Sequence, residues 1–397
     1  MLAARDSGVE SFILSVEELR ARRGFKWRGF DDDVLPASGA DMDFAVADPV
    51  RQAIARVVDS ADYGYPLRAG ESRVEAAFAA RMRERFGWDP DLGRVLVVDS
   101  LLQAFVACLL AYSRRGDGVV VHAPCFFPFL EAIAHTGRRA LHAPLVDDGS
   151  RLASDPDALR AAAAGDGARV LLLCNPHNPS GRVLTRPELE AIVRLAVERD
   201  LVVVSDEVHA DLVLPGARHV PLATLGPEIA ARTVTITAAT KAFNISGLRC
   251  AVMHFGSAEL QTRLRRLLPT HLLGAVNVIG ADATVAAWRD GQPWLDRVLA
   301  LLDANRRRVA AWAAEEGIGH HAPEATYLAW LDCRGLPLDG TPADALLRDA
   351  RVALLDGAPF GPGGEGRVRL NFGTSEAILA DILDRLSGAI ARARAVA

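Results

Sequence analysis

Between residue 94 and about residue 257, short apolar runs alternate with segments whose apolar residues recur at helical spacing, and this alternation constrains the fold more than any other feature. The runs at 95–98, 119–122, 170–174, 201–205, 233–237 and 250–255 are rich in β-branched residues and too short for helices. Between the third and fourth, Leu189, Ile192, Val193 and Ala196 fall on one helical face. Continuous apolar strands separated by amphipathic helices predict a mostly parallel sheet covered on both faces, because each strand is then buried on both sides. The expected class is α/β, with that sheet in a large domain and a smaller α+β domain beside it. A chain of 397 residues exceeds one minimal core. The reading divides it into an N-terminal segment, 1–45, that packs with the small domain, a large domain, 46–290, and a small C-terminal domain, 291–397.

Composition narrows the function classes. The net charge is -5, and the 45 basic residues are interspersed with 50 acidic ones, so no face for nucleic acid is expected. Cys108, Cys125, Cys174, Cys250 and Cys333 are widely spaced and mostly set in apolar runs, which fits reduced thiols better than a disulfide framework or a zinc motif. No apolar run reaches the length of a membrane span, and the first ten residues lack the core of a signal peptide. The expectation is a cytoplasmic protein that acts on small molecules, with no membrane or nucleic-acid partner.

Only Lys26 and Lys241 are lysines; every other basic residue is arginine. Arginine stays protonated, whereas burial can bring a lysine amine towards neutrality and let it attack a carbonyl. Lys241 follows the run at 233–237 and precedes the turn-forming Asn244, Ser246 and Gly247, so it sits just past a strand end, where a doubly wound sheet binds ligands. Three other features occupy such ends. Asn178 offers an amide in the turn CNPHNPSG, 174–181; Asp206 closes the run at 201–205; Asp99, Ser100 and Leu101 open a helix whose N–H groups suit a phosphate. Taken singly, these are a surface lysine, a turn-capping aspartate and a helix cap. Taken together, an amine, a carboxylate, an amide donor and an anion site suit pyridoxal 5'-phosphate, which needs a lysine imine, an acid at its ring nitrogen, a hydrogen bond to its phenolic oxygen and a phosphate cradle.

The segments NPHNPSGR (175–182), SDEVHADL (205–212), TKAFNISGLR (240–249) and RLNFG (369–373) resemble the motifs of fold-type I pyridoxal-phosphate enzymes. More narrowly, with GADMDF (39–44), the turn at 63–65 and GQPWLD (291–296), the chain is similar to the class I/II aminotransferase relatives that act as carbon–sulfur β-lyases of the MalY/PatB type. The resemblance implies that Lys241 is the imine lysine and Asp206 the partner of the pyridinium nitrogen, with Asn178 and His209 near the phenolic oxygen. It puts Phe126 on the ring face in place of the usual tyrosine, and Ser100, Leu101, Thr240 and Arg249 at the phosphate. It gives Arg369 the substrate carboxylate in a two-pronged ion pair and sets Asp43 and Phe44 in the substrate-binding part. Tyr65 matches a tyrosine that reaches the phosphate of a neighbouring subunit, which implies a homodimer with shared active sites. Asp99 stands where a proline is common, and Ala37, Ser38 and Gly39 replace bulkier residues.

The implied activity is cleavage of L-cystathionine or another L-cysteine S-conjugate to a thiol, pyruvate and ammonia. An aminotransferase is the alternative, because the early steps are shared and Arg249 is usual in that class. A cofactor-binding regulator is a third class, against which an intact Lys241 and Asp206 count. Other patterns carry no chemistry, and no metal is expected. Asp31, Asp32 and Asp33 are consecutive and cannot easily converge on one ion, and His320 and His321 lack a third ligand at metal spacing. Gly361, Gly363 and Gly366 satisfy G-x-G-x-x-G, but Pro362 interrupts them and a strand-like run follows instead of a helix.

Overall fold

The computed structural model describes residues 12–64, 73–165, 167–269, 273 and 275–396. Eight strands build the central sheet: β1 (Val95–Val98), β2 (Gly118–Ala123), β3 (Arg139–Asp147), β4 (Leu152–Ser154), β5 (Ala168–Cys174), β6 (Val202–Asp206), β7 (Thr233–Thr237) and β8 (Ala251–Phe255). Their order is β1-β8-β7-β6-β5-β2-β3-β4. The pairs β2/β3, β2/β5, β5/β6 and β6/β7 are parallel. Strand β8 runs against both β7 and β1, and β4 runs against β3.

Strands β2, β7 and β8 bury every residue, which is why apolar and β-branched residues dominate them. Successive side chains point to opposite faces, so the sheet carries two cores. On one face Val119, Val121, Leu172, Ile236 and Met253 meet Phe105 and Leu109 of α1 (Leu101–Tyr112). On the other, Val120, Leu171, Leu173 and Val203 meet Leu189, Ile192 and Leu195 of α2 (Arg186–Glu198), which starts from a Thr185–Glu188 capping box. The sequence runs did not include β3 or β4. In β3 only Ala143 is fully buried, so hydrophobic patterning is weak there, and pairing to β2 makes it a strand.

The long helix α3 (Gln292–Glu315) leads to an antiparallel sheet of β9 (Gly319–His320), β10 (Leu328–Asp332), β11 (Leu355–Asp356) and β12 (Arg367–Asn371), in the order β9-β10-β12-β11. The last helix, α4 (Glu376–Val396), presents Leu379, Ile382 and Leu386 to the core that also holds Leu295, Val298 and Leu302 of α3. Phe44 and Trp27 belong to the same core, and Leu35–Pro36 pairs in parallel with Val352–Ala353. The acidic turn is a surface feature in which Asp31 and Asp33 ion-pair with Arg351 at 2.8 and 2.7 Å.

Candidate active site

Strand register brings the singled-out loops to one edge of the central sheet. Cys174 lies opposite Asp206, and Asp206 opposite Ile236, so β5, β6 and β7 end almost level. The loops carrying Asn178, His209 and Lys241 therefore emerge side by side. On the far side of β7, Thr237 pairs with Val252, and Ala251 with Val98, so Thr240, Arg249 and Ser100 leave or enter the sheet at this same edge. Phe126 follows β2 there and packs edge-on against Phe129 at 5.5 Å between centroids.

Lys241 and Asp206 form the electrostatic centre. Asp206 is 4% exposed, and burial pushes its carboxyl up to about 7, helped by the neighbouring Glu207 charge. The Val208 N–H, which donates to its Oδ1 at 3.2 Å, and the Lys241 charge pull in the other direction. No cation among the described residues ion-pairs with it. Burial lowers the Lys241 amine below the usual lysine range, and the Arg369 charge adds to this, against Asp41 and Asp206. The amine donates to the Ala40 carbonyl at 2.9 Å. His209 is buried, and burial first, then Lys241 and Arg369, takes it down to about 3, so it is neutral at pH 7. Its Nδ1 has no protein partner.

Arg369 reaches this centre from β12 of the small domain. It is 2% exposed, and burial lowers it to about 10. One terminal nitrogen donates to Asn178 Oδ1 at 3.0 Å, the other to Ser38 O at 3.2 Å, and the guanidinium lies over Phe360 at 5.4 Å. Among the described residues no carboxylate pairs with it, and its Nε has no partner. A buried cation without a counter-charge is expensive, so the geometry invites an anion from outside the chain.

Ser100 caps α1 by accepting from the Gln103 N–H at 3.5 Å, Leu101 is the first helical residue, and Asp99 Oδ1 is buried without a partner. Thr240 is buried, whereas Arg249 is exposed with φ +50°. Helix N–H groups, a hydroxyl and an arginine are the donors a phosphate needs. With an amine of lowered basicity and a buried carboxylate lacking a cation, this donor set fits a phosphorylated pyridine aldehyde. Tyr65 lies outside the described residues.

Two candidates do not face the cleft. Asp43 spends its carboxylate on Lys26 Nζ at 2.8 Å and Trp27 Nε1 at 2.6 Å, and Phe44 is fully buried edge-on against Phe12. Both side chains are buried away from the site, and the segment offers it backbone carbonyls instead. The sequence reading also passed over Tyr327. Its hydroxyl donates to Ala40 O at 2.8 Å, beside Lys241. Its place in an apolar strand-like run gave no hint of a polar contact, although a fully buried tyrosine hydroxyl always calls for a partner.

The family described as aminotransferase class I and II matches residues 38–386. A protein of Mycobacterium leprae, provisionally named cystathionine beta-lyase, is 39% identical over 96% of this chain and 98% of its own. Cystathionine beta-lyase PatB of Bacillus subtilis is 33% identical over 90% and 93%. Among solved structures, cystalysin from Treponema denticola, which contains a pyridoxal 5'-phosphate cofactor, superimposes with a TM-score of 0.87 at 25% identity, covering 94% of this chain and 97% of that one.

Proposed function

The chain belongs to the class I and II aminotransferase family, and on that premise we propose that it is a pyridoxal-phosphate-dependent carbon–sulfur β-lyase. Its substrate is L-cystathionine or another L-cysteine S-conjugate, and its products are a thiol, pyruvate and ammonia. The observation that carries the reading is a lysine amine of depressed pKa beside a buried carboxylate that has no cation of its own.

When bound, the cofactor supplies an electron sink for the carbanion left by removal of the α-proton. The residues of this chain do the rest. Lys241 would hold the cofactor covalently, and its amine, whose basicity burial lowers, is the base placed to take the α-proton. Asp206 would hold a proton on the ring nitrogen, since a cation is what its desolvated carboxylate lacks among the described residues. Asn178 and the neutral His209 would hold the phenolic oxygen, Phe126 the ring, and Ser100, Leu101, Thr240 and Arg249 the phosphate. Arg369, aimed by Asn178 and Ser38 O, binds the substrate carboxylate and fixes the α-carbon relative to Lys241. Loss of the thiolate from the β-carbon and addition of water complete the products. A cytoplasmic homodimer with shared active sites is part of the proposal.

Purified protein given L-cystathionine and cofactor, with no keto acid, is expected to release thiol and pyruvate in equal amounts. Absence of both, with amino transfer to an added keto acid, overturns the lyase reading in favour of an aminotransferase. Lys241→Ala should remove the visible absorbance of the covalently held cofactor; a surviving band contradicts the role of that lysine.

A further inference from the structure

The segment 38–44 threads between the two domains, and side chains from both take its backbone carbonyls. Arg369 donates to Ser38 O at 3.2 Å, and Tyr327 and Lys241 donate to Ala40 O at 2.8 and 2.9 Å. Asn371 donates to Gly39 O and, at 2.8 Å, to Asp41 O. Asn244, three residues past Lys241, donates to Met42 O and Phe44 O at 2.9 and 3.0 Å and accepts from the Met42 N–H. The two residues assigned above to the substrate carboxylate and the α-proton thus hang from carbonyls two positions apart on one strap.

The strap is pinned by an ion pair inside the protein. Lys26 Nζ lies 2.8 Å from Asp43 Oδ2 and 3.1 Å from Asp41 O, and Trp27 Nε1 donates to the other Asp43 oxygen. Lys26 is 5% and Asp43 3% exposed. Such a pair is a poor source of stability, since desolvating two charges costs several kcal/mol per ion and apolar residues of like volume often do as well or better. Its best-supported use is register, and the geometry here suits that use. Because Lys26 bridges Asp41 O and the Asp43 carboxylate together, a slip of the strap by one residue strands a buried charge, and it also turns the Ala40 carbonyl away from Lys241.

We propose that Lys26 and Asp43 are positioning residues of the reaction: their ion pair sets the register of 38–44 and, through the Ser38 and Ala40 carbonyls, the placement of Arg369 and Lys241. The inference rests on the proposed roles of those two residues. It is tested on the full chain with Asp43→Asn, which keeps shape and the Trp27 hydrogen bond, and Lys26→Met, each studied well below its melting temperature. Two readouts involve no turnover. One is the dissociation constant of 2-aminoisobutyrate, which has an amine and a carboxylate but no α-proton, measured on the cofactor-loaded enzyme. The other is the rate at which visible absorbance appears when the cofactor-free chain is mixed with pyridoxal 5'-phosphate. Both should weaken about tenfold, with KM raised and kcat lowered, since a misplacement of about 1 Å can cost roughly a hundredfold. Lowered melting temperatures with both readouts within about twofold of wild type would reduce the pair to a structural role and overturn the proposal. If Lys26→Met does not fold, Asp43→Asn decides alone. A wild-type chain that gives no visible band with the cofactor sinks the cofactor reading, and this inference with it.

Discussion

Replacing Asp206 by Asn should make the cofactor-free protein more stable at neutral pH, which is the reverse of what removing a buried charge partner usually does. Asp206 is buried with no counter-ion among the described residues, and its carboxyl is raised to about 7 in the fold, against 3.8 in an unfolded chain. Between those two values the unfolded chain has released a proton that the native state retains. The native state then binds more protons, so stability falls as pH rises through the window and levels off above about pH 7. A shift of about three pH units corresponds to roughly 4 kcal/mol at 1.36 kcal/mol per unit. Asparagine cannot ionise and keeps the shape. Denaturant unfolding of cofactor-free wild type and Asp206→Asn, at pH 4, 5.5 and 8, should therefore show curves that nearly coincide at pH 4 and separate by about 2–4 kcal/mol at pH 8, the variant being the more stable. Saturating cofactor should close the gap, because its protonated ring nitrogen supplies the missing cation. A difference between the two proteins that does not change with pH would refute the reasoning.

Other expectations follow from single contacts. Arg369→Met should raise KM by about a hundredfold or more without lowering the melting temperature, since the desolvated cation it removes has no carboxylate partner among the described residues; a lowered melting temperature with unchanged KM would make Arg369 structural. Asn178→Ala should raise KM by roughly five- to tenfold by freeing one arm of Arg369, a loss of about 1–1.5 kcal/mol, measured by initial rates over substrate concentration. Gly181→Ala should lower stability by about 2–4 kcal/mol in denaturant titration, because φ is +69° and a Cβ would come within 2.3 Å of Pro323 Cβ.

The sheet was legible because burial on both faces selects apolar and β-branched side chains at most positions, as in β2, β7 and β8. The lysine was legible because an arginine-rich chain kept one at a strand end, and the phosphate donors because a helix start announces itself through Ser100. Strand β3 was not, since only Ala143 on it is fully buried and its pairing partner lies outside its own segment. Nor could local sequence assign Asp43, whose acidic side chain reads like a ligand until Lys26, 17 positions earlier, is found closing on it. Side-chain type at strand ends marks Asn178, Asp206 and Lys241 as residues able to do chemistry, and the family resemblance adds Arg369. Tertiary structure decided that Arg369, 191 residues from Asn178, meets it inside the protein, and that the carbonyls of 38–44 receive the groups of both domains. Those contacts depend on strand register and on desolvation, which exist only once segments distant in sequence have packed and excluded water.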